Sequence, residues 1–150
     1  MTVPSNTPAR AGMTIPLGSH SALTYLAVGA DTGGAYALLH YVAGPGTGSG
    51  FHTHQREDEA FYILSGTLQV ALGEQTIIAS PGQYLHIPRG QRHAFRNATT
   101  EPMTALVLLS PAGLEQFFVD LAALSATSPN GLPDAAAVTR LTEHYQLVFE

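Results

Sequence analysis

The sequence predicts an all-β domain, a sandwich or barrel of short antiparallel strands, followed by a helical extension. Three observations predict it. Between Leu23 and Ser110 the apolar residues come in short runs of period two. Glycine- and proline-centred turn signals separate those runs, with no βαβ alternation to suggest a parallel sheet. After Pro111 the apolar period becomes helical.

Residues 1–20 carry Pro4, Pro8 and Pro16 among Ser and Thr, which reads as an extended arm, disordered at its start. Strands are expected over 23–28, 35–42, 60–64 and 67–72, with a hairpin at Asp31-Thr-Gly-Gly34 and a glycine-rich loop over 44–50. Further strands follow over 76–79, 84–87, 93–97 and 103–110, separated by Ser80-Pro-Gly82 and Pro88-Arg-Gly90. Leu114, Phe117, Phe118, Leu121 and Leu124 form one helical stripe, expected to cap the barrel edge rather than act as a lid. A break at Ser128–Pro133 precedes a second helix over 134–145 and a possible terminal strand over 147–149. The organisation is thus an arm (1–20), a β-barrel (21–111) and a helical extension (112–150).

Composition narrows the chemistry. With 150 residues the chain suits one domain. Six basic against eleven acidic side chains give 6 − 11 = −5, which argues against nucleic acid or an anionic membrane as partner. Every cation is Arg, so Schiff-base lysine chemistry is excluded. The absence of Cys removes disulfides, thiolate nucleophiles and iron–sulfur clusters, leaving His and carboxylates as the strong metal ligands. No apolar run is long enough to span a bilayer and residues 1–11 lack a signal-peptide core, so a cytoplasmic protein is expected.

Four candidate ligands fall in two glycine-framed windows. In His52-Thr-His54 the two imidazoles lie two residues apart, so on a strand they project from one face. Of the acids that follow, Glu59 opens an apolar strand and shares its face with Phe61 and Ile63; if those are buried, so is the carboxylate, and it then needs a cation or hydrogen-bonding partner. Glu57 and Asp58 are expected in a solvated turn. In the second window His93 begins a strand on which Phe95 and Asn97 share its face.

These windows resemble the two motifs of the cupin superfamily. Gly46, His52, His54, Glu59 and Gly66 fill the first; Gly82, Pro88, Gly90, His93 and Asn97 fill the second, with fifteen residues between Gly66 and Gly82. The flanking text is similar to small bacterial monocupins styled quercetin dioxygenase-like. The resemblance implies an all-β antiparallel jelly-roll (cupin) barrel with one divalent transition metal on His52, His54, Glu59 and His93. Three neutral imidazoles and one carboxylate suit Fe, Mn, Ni, Zn, Co or Cu rather than Mg or Ca.

Phe61, Ile63 and Phe95 are expected to line an apolar pocket around that ion. Arg89, Arg92 and Arg96 are expected on a solvated rim, and His20, His40, His86 and His144 in structural settings, with the apolar pair Leu85 and Ile87 facing inward instead of His86. The expected function is a dioxygenase-type oxidoreductase on a small enol, diol or flavonol-like substrate, with Glu59 able to accept a proton. The alternatives are a metal-dependent isomerase or lyase on a sugar or keto acid, and a non-catalytic binding module. A homodimer is expected, paired sheet to sheet or through strand addition by the arm.

Overall fold

The structure is a computed structural model that describes residues 7–150; the expected disorder at the start of the arm falls largely outside them. Alternating burial produces two facing antiparallel sheets. The six-stranded sheet runs β1 (Thr14–Pro16), β2 (Ala22–Ala27), β3 (Ala37–Ala43), β10 (Met103–Ser110), β5 (Asp58–Ser65) and β8 (Tyr84–Ile87). The five-stranded sheet runs β11 (Leu147–Phe149), β4 (Gly48–His54), β9 (His93–Arg96), β6 (Leu68–Leu72) and β7 (Gln75–Ala79). Strict alternation along β3 and β10 turns Leu39, Tyr41, Ala105 and Val107 inward, where they meet Phe61, Leu68 and Val70 in one core.

Part of the arm is built into the sheet: Ile15 of β1 pairs with Leu23 of the chain's own β2. The expected hairpin at 31–34 is instead the end of a one-turn helix, α1 (Gly29–Thr32), closed by Gly33 in the left-handed region. Asp-Thr-Gly-Gly reads equally as a turn or a helix C-terminus, and a distant residue decides. The buried Glu115 carboxylate accepts hydrogen bonds from the Gly29 and Gly113 N–H groups at 2.8 and 2.6 Å. The glycine-rich loop is shorter than expected, because β4 already begins at Gly48.

Gly66 closes the β5–β6 turn at φ +70°, where an added Cβ would lie 2.7 Å from the Pro102 carbonyl oxygen. Both constraints require glycine. Asn97, wholly buried, has an equally structural role. Its amide nitrogen donates to the carbonyls of Ala43 and Glu101, and its oxygen accepts from the Thr99 N–H and hydroxyl.

The helical extension consists of α2 (Glu115–Ala126) and α3 (Ala135–His144), joined by a 3₁₀ turn at Pro129–Gly131. Asp134 caps α3 by accepting from the Ala137 N–H at 2.9 Å. The Tyr145 hydroxyl, bonded to buried Asp120, ties the end of α3 back to α2. Among the described residues no helix is long and apolar enough to cross a membrane.

Replacing Asn97 by Ala leaves the buried Ala43 carbonyl and the part-buried Glu101 carbonyl and Thr99 N–H without this partner. Urea unfolding of Asn97→Ala is expected to show a loss of about 3 kcal/mol, with metal stoichiometry unchanged because this side chain faces the turn and not the histidines.

Candidate metal centre

The centre is divided between the sheets. His52 and His54 come from β4 and His93 from β9, opposite His52 in the ladder; Glu59 reaches across from β5 of the other sheet. All four are buried, and one ligand atom from each lies within 4.8 Å of the others. His93 Nε2 is 3.1 Å and His54 Nε2 3.7 Å from Glu59 Oε1. The His52 and His93 rings are 4.3 Å apart between centroids.

Backbone carbonyls orient two of the rings. His52 Nδ1 lies 2.8 Å from the Gly50 carbonyl and His93 Nδ1 2.9 Å from that of Gln91. A carbonyl can only accept, so both Nδ1 atoms carry hydrogen and both Nε2 atoms face inward, as lone pairs where the ring is neutral; a protonated His93 donates from Nε2 to Glu59 Oε1 at 3.1 Å. The third imidazole, His54, has neither nitrogen hydrogen-bonded despite being buried. Converging lone pairs and a carboxylate oxygen, with an orphaned imidazole among them, repel one another unless a proton or cation sits between. The donor set therefore fits a divalent transition ion, held by His52, His54, His93 and Glu59.

The protonation equilibria follow from the same packing. Burial pushes His52 down to about 4, against the pull of the Gly50 carbonyl, and the adjacent imidazoles add to the depression. Burial also depresses His54, but the carboxylates of Glu57 and Glu59 outweigh it and leave its pKa raised. Burial works to raise Glu59, yet the hydrogen bond from His93 and the positive charge the neighbouring imidazoles take up on protonation hold it below the usual carboxylate value.

A cavity of about 670 Å³ opens beside the cluster and reaches it at Glu59. Phe61, Phe95, Leu39 and Val107 form its barrel walls; Phe117, Phe118 and Leu121 of α2 and Val138 of α3 roof it. Of the helical stripe expected to cap the barrel edge, Phe117, Phe118 and Leu121 thus line the cavity. Ile63, expected to line the pocket, is instead fully buried in the core and is not among the cavity-lining residues. Tyr41, whose phenol burial and Glu59 push up to about 12, lines the cavity and packs edge-on against Phe95.

Outside the centre, His86 faces outward and lies 3.0 Å from Asp58, while Ile87 is buried. Arg89 also bonds Asp58, at 2.9 Å, and these partners hold that carboxyl down to about 2. Arg92 pairs with Glu150 and lies over the Phe51 ring; Arg96 is exposed. None of these arginines lines the cavity. His20 and His144 are exposed and His40 half-exposed, all outside the cluster. A further sequence expectation is overturned: Glu57 is only 1% exposed and points at His54, not into a solvated turn. Its spacing of two from Glu59 was the available signal, since alternation assigns both to one side.

Residues 39–109 match the Cupin_2 family, the cupin domain. The polyketide synthase CurC of Streptomyces cyaneus is 36% identical over 89 residues, covering 59% of this chain and 56% of that protein. Quercetin 2,3-dioxygenase of Bacillus subtilis strain 168 is 29% identical over 73 residues, 49% of this chain and 22% of the enzyme. The structure of KdgF from Halomonas sp. superposes with a TM-score of 0.59 at 18% identity, over 67% of this chain and 89% of that one. The two-sheet fold, the buried His/Glu cluster and the domain match together identify residues 39–109 as a cupin domain. The chain spans between 16% and 56% of the length of the curated relatives it matches.

In the metal-free protein the depressed His52 makes stability pH-dependent. The unfolded chain takes up this proton below 6.5, the folded chain only near 4, so stability falls as pH drops through that window, by about 3 kcal/mol from this residue. His54 acts oppositely, its raised pKa adding stability at low pH that is lost as pH rises through the folded value. Glu59 adds stability above 4.5 that is lost as pH falls through its lowered value. Urea midpoints of metal-free wild type and His52→Asn between pH 4 and 7 isolate the first contribution: the variant is expected to lose less stability on acidification, and parallel profiles would contradict the assignment.

Proposed function

We propose that this cupin is a metal-dependent oxidoreductase of dioxygenase type, acting on a small enol, diol or flavonol-like substrate. The observation that carries the reading is the apolar cavity that reaches the cluster at Glu59 and has no cation among its described lining residues. Such a cavity suits a neutral ring-bearing molecule offering one or two oxygens to the centre. The partial likeness to quercetin 2,3-dioxygenase is in keeping with it.

A divalent transition ion held by His52, His54, His93 and Glu59 supplies Lewis acidity toward a substrate oxygen and, where redox-active, electrons for O₂ chemistry. The protein provides the remainder. Glu59, facing the cavity, accepts the substrate hydroxyl proton. Tyr41 remains a phenol at neutral pH and presents a hydrogen-bond donor in the same space. Phe61, Phe95 and the helical roof exclude water from the reacting group.

The alternative, isomerase or lyase chemistry on a sugar or keto acid, calls for a cation wherever the substrate carries a phosphate or carboxylate. Arg89 and Arg92 are engaged by Asp58 and Glu150 at the surface, which weakens that reading. For the non-catalytic alternative, a ligand-sized cavity is the unfavourable observation.

We also infer a homodimer formed through the outer face of the six-stranded sheet. Tyr62 and Tyr84 sit side by side there, exposed, next to exposed Leu64. Such a patch favours burial against a second copy, whereas β1 is engaged by its own sheet.

Reconstitution with Fe, Mn, Co, Ni or Cu and O₂-electrode assays over a panel of polyphenols and diketones test the activity. Both atoms of O₂ are expected in the product, and Glu59→Gln should slow turnover at least about 100-fold. No uptake with any of these metals across the panel, or equal turnover without O₂, would overturn the proposal. Light scattering should give twice 15.8 kDa for wild type and a shift toward monomer for Leu64→Arg; a monomeric wild type rejects the dimer.

A further inference from the structure

We propose that Glu57 is the positioning residue for His54: its carboxylate accepts the His54 Nδ1–H and so fixes the tautomer whose Nε2 lone pair faces Glu59 and the metal. The assignment rests on reading the four-residue cluster as a metal centre. Gly50 and Gln91 perform this service for His52 and His93 through their backbone carbonyls. His54 has no such carbonyl, and its Nδ1 is a buried donor site without a hydrogen-bond partner.

Glu57 has the complementary deficiency. Its side chain is wholly buried, neither carboxylate oxygen makes a hydrogen bond, and Oε1 lies 3.8 Å from His54 Nδ1. That separation is longer than a hydrogen bond but places a lone buried acceptor directly before a lone buried donor. A carboxylate behind the distal nitrogen of a ligating histidine fixes ring orientation and raises the basicity of the nitrogen on the metal.

The nearby cation does not take over this carboxylate. Arg56 Nη1 approaches the other oxygen, Oε2, at 3.5 Å, while Nη2 donates to the Ala112 carbonyl at 3.2 Å. The guanidinium sits over Gly113, where an added Cβ would come within 2.5 Å of Nη1. Arg56 thus offsets part of the buried charge from one side and leaves Oε1 for His54.

The two roles open to Glu57 predict opposite effects. A purely structural residue stabilises the fold with or without metal, and its loss lowers melting temperature without changing metal affinity. A buried carboxylate lacking a hydrogen bond burdens the metal-free fold and becomes useful when His54 is ligated.

Zn²⁺ and Mn²⁺ affinities are measured by chelator competition for wild type, Glu57→Gln and Glu57→Ala, alongside melting of the metal-free forms and ¹⁵N spectra of His54 in the Zn²⁺-loaded wild type. Glu57→Ala is expected to weaken binding about 10- to 100-fold, and Glu57→Gln less, since its amide oxygen still accepts from Nδ1–H. Metal-free Glu57→Gln should melt no lower than wild type, and the spectra should show His54 protonated at Nδ1.

Affinities within about twofold of wild type, or His54 protonated at Nε2, would overturn the assignment while leaving the metal centre standing. If Glu57→Ala fails to fold, Glu57→Gln and the wild-type spectra decide. A wild type that takes up no metal removes the centre and this assignment together.

Discussion

Everything in the interior of this cupin is arranged around one electrostatic conflict: imidazole lone pairs and a carboxylate oxygen are aimed at the same small volume. His93 Nε2 and His54 Nε2 both approach Glu59 Oε1, and the carbonyls of Gly50 and Gln91 turn the Nε2 atoms of His52 and His93 toward the same point. Such an arrangement gains stability when a cation, whether a proton or a metal ion, enters. The barrel provides the rigid frame in which that conflict can persist, with Phe61, Leu39 and Val70 buried around it.

Polar side chains elsewhere in the core serve the frame. Glu115 joins α1 to the entry of α2. Asn97, the last residue of the second cupin motif, fastens a turn and ligates nothing. A motif position can therefore be demanded by backbone hydrogen bonding as strictly as its neighbours are demanded by coordination. The β strands carry the four clustered side chains and most of the cavity's barrel wall, and α2 and α3 complete its apolar lining.

The clustering of His52, His54, Glu59 and His93 was legible in the sequence because strand alternation and spacing say which side chains share a face: His52 with His54, and Glu59 with Phe61. Alternation gives a face but not a depth, which is why Ile63 has the right parity and yet sits in the core away from the cavity. Glu57 was obscured by its polar neighbours Gln55, Arg56 and Asp58, which together resemble a solvated turn. The helical period of Phe117, Phe118 and Leu121 was plain, but their place over the cavity depends on tertiary packing that no local pattern encodes. At Asp31–Gly34 the deciding partner is Glu115, far along the chain.

The division of the ligands between two sheets has a kinetic consequence. An ion held by three side chains of one leaf and one of the other would act as a rivet through both, so its escape would require Glu59 to swing away or the leaves to part. Its exchange would then follow breathing of the barrel as well as bond strength.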